Sequence, residues 1–75
     1  MQATLIMPNS GSKVRSQSQR RFVVVAEDRF APGKPWIVKR SDNVETARTE
    51  RNKARSKHIN AMVVVFDTTT GEAVA

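Results

Sequence analysis

The sequence predicts a small α+β protein in which one helix packs on a single-layer sheet of three to four strands. Two runs of consecutive apolar residues, at 22–26 and 61–66, indicate strands that are buried on both faces, because successive side chains of a strand point to opposite faces. The one helix candidate lies between these runs, and Pro and Gly residues mark the turns. The predicted order of elements is therefore β-β-α-β(-β).

The N-terminal part of the chain differs in composition from the rest. Residues 8–20 contain a single aliphatic side chain, Val14, among Ser, Gln, Gly and charged residues. Such a segment offsets little of its own ordering entropy, so we expect it to be mobile. We therefore divide the 75-residue chain into a flexible basic segment at 1–20 and one small domain at 21–75. A short extra strand at 4–7 is the alternative for the first residues.

The strand predictions follow the β-branched runs and the breakers between them. The predicted strands cover residues 21–27, 36–40, 61–67 and 72–75. Pro32 and Gly33 mark the turn between the first two strands, and Gly71 marks the turn between the last two. The first strand should lie in the centre of the sheet, because its middle carries no charge whereas the second strand contains Lys39 and Arg40.

The helix is predicted to begin after Ser41-Asp42-Asn43 and to end near His58. Asp42 and Glu45 have the spacing of a capping box, and both acids suit the positive end of the helix dipole. The apolar residues of the helix are few and small: Val44, Ala47 and Ala54. The sheet must therefore provide most of the volume of the core.

One helix covers only one face of this sheet. In one assignment the helix-facing residues are Phe22, Val24, Trp36, Val38, Met62, Val64 and Phe66. The other face then carries Val23, Val25, Ile37, Val63 and Val65. The opposite assignment leaves the aromatic residues uncovered instead. In both cases the bare face is a candidate interface, and its cover is a second copy of the chain, the N-terminal residues 3–7, or another protein.

The chain is basic, with 13 Lys and Arg residues against seven Asp and Glu and a net charge of +6. This imbalance favours nucleic acid or an acidic protein surface as the partner, although a basic face that only maintains solubility is the alternative. The candidate anion-binding residues are Arg15, Arg20, Arg21, Arg48, Arg51 and Arg55. Phe30 joins the candidate apolar interface, since it lies in a Pro/Gly loop where it is either an exposed anchor or folded under the hairpin.

The sequence does not indicate an enzyme. The absence of Cys excludes disulfides, thiolate metal sites and Cys nucleophiles. His58 is the one histidine, the carboxylates are scattered, and the glycines are isolated, so no catalytic set, metal site or phosphate cradle is expected. We expect no cofactor, no small-molecule substrate and no membrane partner. No signal peptide or bilayer-spanning run is visible, and we expect a soluble cytoplasmic protein.

The element order and size resemble those of small phage-encoded proteins that bind and inhibit host enzymes, RNA polymerase among them. The resemblance covers the outline of residues 21–66 and contains no motif, so it transfers no functional residue. Two hypotheses of similar weight follow. The protein is either a nucleic-acid-binding accessory protein that uses the helix arginines and the basic segment, or a phage-type regulator that docks an apolar sheet face or edge on a host protein. A homodimer is compatible with both.

Overall fold

The computed structural model describes residues 3–16 and 20–74, which form two antiparallel sheets and one helix. In chain order the elements are β1 (Ala3–Ile6), β2 (Lys13–Ser16), β3 (Phe22–Asp28), β4 (Trp36–Ser41), α1 (Val44–Lys57), β5 (Ala61–Asp67) and β6 (Glu72–Val74). The predicted α+β class with a single helix is confirmed. The described residues contain six strands, more than the three to four expected, because β1 and β2 form a second sheet.

The larger sheet has the strand order β4-β3-β5-β6, so the central position predicted for the first long strand is confirmed. β3 pairs antiparallel with both β4 and β5. β4 and β5 therefore run parallel to each other on either side of β3, and α1 is the crossover between them. A register irregularity between Val24 and Val25 interrupts the pairing of β3 with β4.

The helix packs on one face of this sheet through two small side chains, Ala47 and Ala54, which are both buried. Their partners in the core include Phe22 and Val24 from β3 and Val65 from β5. The small helix residues let the helix axis approach the sheet, and the strands provide the volume that the helix lacks. This arrangement agrees with the sequence prediction.

The opposite face of the sheet is covered by the hairpin that β1 and β2 form. Leu5 and Met7 are fully buried, and Val14 is nearly so, against Val23, Val25 and Phe66 of the larger sheet. Of the three covers proposed from the sequence, the N-terminal residues are therefore the one that the structure contains. Ile6 points away from this second core and is 55% exposed.

The hairpin differs from the expectation of a flexible segment at 1–20. β1 pairs with β2 in a regular antiparallel register, with Leu5 opposite Val14. Composition alone underestimates the ability of this segment to form strands. A hairpin that covers a sheet needs only one or two apolar side chains on the inner face of each strand, and its outer face can be polar. Residues 17–19, at the end of the predicted segment, lie outside the described residues.

The face assignment from the sequence is correct for β3 and wrong for β5. Val63 and Val65 lie on the helix side, whereas Phe66 lies under the hairpin. The cause is the register, which places Val65 opposite Val24. Directly paired residues share a face, and a shift of one residue exchanges the faces, so alternation within each strand leaves their relative phase open.

The helix begins at Val44, directly after Ser41-Asp42-Asn43 as predicted, but its N-cap is not the residue that the capping box indicates. Asn43, not Asp42, is the N-cap, and its side chain accepts hydrogen bonds from the backbone N–H groups of Glu45 and Thr46 at 2.8 and 3.2 Å. Asp42 instead accepts from the Arg20 guanidinium at 2.7 Å and from the backbone N–H of Arg21 at 3.0 Å. Asp42 therefore ties the start of β3 to the start of the helix.

The hairpin makes a testable contribution to stability. We expect Leu5→Ala to lower the free energy of unfolding by about 2–5 kcal/mol, because it removes a fully buried side chain and leaves a cavity against β3. Urea denaturation followed by circular dichroism measures this change. Ile6→Ala is the matched control on the same strand, and its effect should be smaller, since Ile6 is largely exposed. Equal effects of the two substitutions would contradict the observed cover.

Candidate functional site

Three arginines of α1 form a strip along one side of the helix. Arg48, Arg51 and Arg55 are spaced by three and four residues, which places them on neighbouring turns next to the buried Ala47 and Ala54. We call this set the arginine strip. The grouping that the sequence predicted for these three residues is therefore found in the folded helix.

The strip borders the edge of β5 near Val63. Among the described residues, β6 pairs with residues 65–67 of β5, so Val63 lies outside this paired part. The Arg55 guanidinium donates a hydrogen bond from Nη2 to the Val63 carbonyl oxygen at 3.0 Å. This contact holds the guanidinium of Arg55 against the sheet and fixes its position relative to the helix.

The electrostatics of the strip show that its three charges lie close together. Burial lowers the pKa of Arg51, and the positive charges of Arg55 and Arg48 lower it further. An arginine stays protonated in spite of such a shift, so the shift reports the partial burial of Arg51 first and its repulsion by Arg55 and Arg48 second. Glu45 forms an ion pair with Arg48 at 2.7 Å, and it is itself largely exposed at the side of the strip.

The other predicted arginines lie outside α1. Arg15 is exposed on β2, in the hairpin that lies on the opposite face of the sheet from α1. Arg20 pairs with Asp42 at 2.7 Å, and Arg21 pairs with Asp67 at 3.1 Å. Arg15 therefore lies on the other side of the sheet from the helix arginines, and Arg20 and Arg21 each have an acidic partner within the fold.

Asp67 shows what Arg21 does in the fold. Its carboxylate accepts hydrogen bonds from the hydroxyl and backbone N–H of Thr69, at 2.6 and 2.9 Å, and from the Arg21 guanidinium. These contacts, the Thr69 hydroxyl first, lower the pKa of Asp67 below its ordinary value. The Arg21 guanidinium also lies 5.2 Å from the centre of the Phe22 ring. Arg21 thus joins the start of β3 to the turn after β5.

The predicted apolar interface is mostly inside the protein. Val23 and Val25 are buried under the hairpin, Val63 and Val65 are buried under the helix, and Ile37 is half-buried against the hairpin. Phe30 is the exception, with 81% of its surface exposed. The sequence analysis missed Ile59, which is also 81% exposed. A large apolar residue in the turn between the helix and the next strand could have indicated it.

A concave site of about 430 Å³ lies between the turn of the hairpin and the β3–β4 loop. Its lining includes the buried Glu27, whose carboxylate accepts hydrogen bonds from the Ser10 hydroxyl and from the Gly33 backbone N–H at 3.0 Å. Burial raises the pKa of Glu27, but hydrogen bonds from Ser10, Ser12 and Gly33 lower it by more. Glu27 therefore acts as an ionised link between the two loops.

Neither a metal centre nor a membrane span can be assigned within residues 3–16 and 20–74. No cluster of three or more His, Asp or Glu side chains there could hold a metal ion. The described part of the chain also has no helix of the length and apolar character needed to cross a membrane. Comparison of the chain with protein-family models, with curated proteins and with solved structures returns no match. No residue role is therefore taken from another protein.

The two buried carboxylates make stability depend on pH. The folded-state pKa values of Glu27 and Asp67 are lower than the ordinary values of 4.5 and 3.8. Both groups thus stabilise the fold above those ordinary values, and this stabilisation is lost as the pH falls through the folded-state values. We expect the free energy of unfolding to decrease as the pH is lowered below 4.5.

Glu27→Gln tests the contribution of Glu27. The variant should be less stable than the parent at pH near neutral, and its free energy of unfolding should change less between neutral and acidic pH. Urea denaturation at a series of pH values measures both effects. Ser10→Ala removes one hydrogen-bond donor to the carboxylate and should reproduce part of the loss. An unchanged acid dependence in Glu27→Gln would show that Glu27 does not contribute to it.

Proposed function

We propose that the protein is a non-enzymatic nucleic-acid-binding protein that uses the arginine strip of α1. The observation that supports this function is the grouping of Arg48, Arg51 and Arg55 on one side of the helix. We also propose a cytoplasmic location, which suits a chain without cysteine.

Phosphates are a suitable ligand for this strip. The guanidiniums repel one another in the free protein, and phosphates placed between them would relieve that repulsion. A guanidinium also presents a planar set of N–H donors that matches the oxygens of a phosphate. From Arg48 to Arg55 the helix rises roughly 10 Å, which corresponds to about three nucleotides of one DNA strand.

The proposed binding does not depend on base sequence. The strip lies on the side of the helix beside the β5 edge, and its charged side chains are suited to the phosphate backbone. Phosphate contacts position a protein on nucleic acid but carry no direct sequence information. The same arginines would also suit a protein surface rich in carboxylates, and the experiment below separates these two ligands.

The strip predicts a modest salt dependence of binding. If its three guanidiniums each neutralise one phosphate of duplex DNA, log K should fall against log salt with a slope of about −2.7. Arg48→Ala combined with Arg55→Ala should reduce this slope to about −0.9, because one guanidinium of the strip remains. Fluorescence anisotropy with labelled duplex and single-stranded oligonucleotides over a salt series measures both slopes.

The matched control removes two charges elsewhere. Lys39→Ala with Lys53→Ala alters exposed lysines on β4 and on the helix side away from the strip, and it should leave the slope unchanged. Thermal unfolding of each variant checks that the fold is retained. This check is needed for Arg55→Ala, because Arg55 donates a hydrogen bond to the Val63 carbonyl oxygen. Binding weaker than ~100 μM at low salt, below ordinary non-specific affinity, would reject nucleic acid as the ligand.

A further inference from the structure

Three exposed apolar side chains lie on segments that meet at the end of the molecule where β3 leads to β4 and α1 leads to β5. Phe30 and Ile59 are each 81% exposed, and Trp36 is 38% exposed. They come from three separate segments: the β3–β4 loop, the first residue of β4, and the turn after the helix. We call this set the end surface. Isolated exposed apolar residues are common, but a group of this size at one end of the fold is not.

Hydrogen bonds hold the segments of the end surface in place. The backbone N–H of Arg29 donates to the carbonyl oxygen of Asn60 at 2.9 Å, which joins the loop of Phe30 to the turn of Ile59. The Asp28 carboxylate accepts from the backbone N–H of Phe30 at 2.8 Å. The Trp36 ring meets the His58 ring edge to face, with 5.6 Å between their centres. The exposed side chains are thus carried by connected backbone, which lowers the entropy lost on binding.

The end surface also contains a concavity. A site of about 280 Å³ lies among Trp36, His58 and Ile59, with Lys57 at its side. Its volume is slightly below the range usual for drug-sized ligands, so it suits a single protruding side chain better than a cofactor. Interfaces between proteins commonly place one aromatic or aliphatic side chain in such a pocket.

The charged residues around the end surface indicate which charge a binding partner should carry. Arg29, Lys34 and Lys57 lie in the segments that carry the exposed residues, and all three are exposed. Of the two neighbouring carboxylates, Glu27 is buried and accepts from Ser10 and Gly33, whereas Asp28 lines the concavity and accepts from the Phe30 N–H. The three exposed cations outnumber the Asp28 carboxylate, so the surroundings carry a net positive charge, which favours an acidic partner.

We propose that the end surface binds an acidic segment of another protein, which inserts an aromatic or large aliphatic side chain between Trp36 and Ile59. Single-stranded nucleic acid is less well matched, because bases stack on flat aromatic rings and the concavity is lined by the aliphatic Ile59 as well as by Trp36. This proposal is independent of the arginine strip, which lies along the side of the helix and shares no residue with the end surface. The protein would thus carry two binding surfaces for two anionic ligands of different kinds.

Selection from a phage-displayed library of random dodecapeptides on the immobilised full chain tests the proposal. We expect the enriched peptides to combine Asp or Glu with an aromatic or large aliphatic residue. A synthetic copy of an enriched peptide should change the fluorescence of Trp36, which is the only tryptophan in the sequence. Phe30→Ala combined with Ile59→Ser should weaken its binding at least about tenfold, the loss expected from removal of two interface anchors.

Two comparisons make the test specific. Arg48→Ala with Arg55→Ala should bind the peptide with unchanged affinity, and thermal unfolding should show that Phe30→Ala with Ile59→Ser keeps the parent stability, since both side chains are exposed. Three results would overturn the proposal: enrichment of no acidic peptides, unchanged affinity in the Phe30 and Ile59 variant, or occupation of the end surface by oligo-dT or by a second copy of the chain in place of the peptide. The backbone amide chemical shifts of Phe30 and Ile59, recorded after separate addition of the peptide, of oligo-dT and of more protein, show which of these binds at the end surface.

Discussion

The fold depends on the burial of β3 from both sides. Val23, Val24 and Val25 are consecutive and fully buried, so side chains on both faces of this strand require a cover. The helix covers Val24, and the hairpin covers Val23 and Val25. A chain of this size can bury only a limited share of its surface. The chain forms three layers: the helix, the larger sheet and the hairpin. The helix and the hairpin each pack on one face of the sheet.

This use of both sheet faces determines which surfaces are left for binding. A sheet face is not among them, because Val23, Val25, Val63 and Val65 are all inside the protein. Arg20 and Arg21 form ion pairs that hold the start of β3 to the helix and to the last turn of the sheet. The side of the helix beside the β5 edge carries the arginine strip, and the loops at one end of the sheet carry the end surface.

The elements that depend on a local pattern of residues could be predicted from the sequence. The elements and faces that depend on contacts between distant parts of the chain could not. The runs around Val24 and Val64 are apolar and β-branched, so both strands were recognisable. Val14 looked like one apolar residue in a polar segment, because its partners Leu5 and Phe66 are known only once the hairpin has packed. The phase of β5 against β3 is likewise a property of the register, which neither strand encodes alone.

The candidate surfaces divide in the same way. The arginine strip follows from helical spacing and was visible in the sequence, whereas the separation of Arg15 from it follows from the position of the hairpin. Ile59 was missed because its exposure depends on where the helix ends and β5 begins. Trp36 and Phe30 are recognisable in the sequence as aromatic residues, but the concavity between Trp36 and Ile59 and the hydrogen bond that joins the Phe30 loop to the Ile59 turn exist only in the folded chain.

Arg55 links the stability of the fold to the proposed binding of phosphate. One of its N–H groups donates a hydrogen bond to the Val63 carbonyl oxygen of β5, and this bond holds the guanidinium in place without a ligand. A guanidinium has further N–H donors, and anchoring one of them orients the plane that holds the rest. The repulsion between Arg55 and Arg51 acts against this arrangement in the free protein. The hydrogen bond to the sheet therefore opposes the spreading of the charges and keeps Arg55 in the position that the proposed binding of phosphate requires.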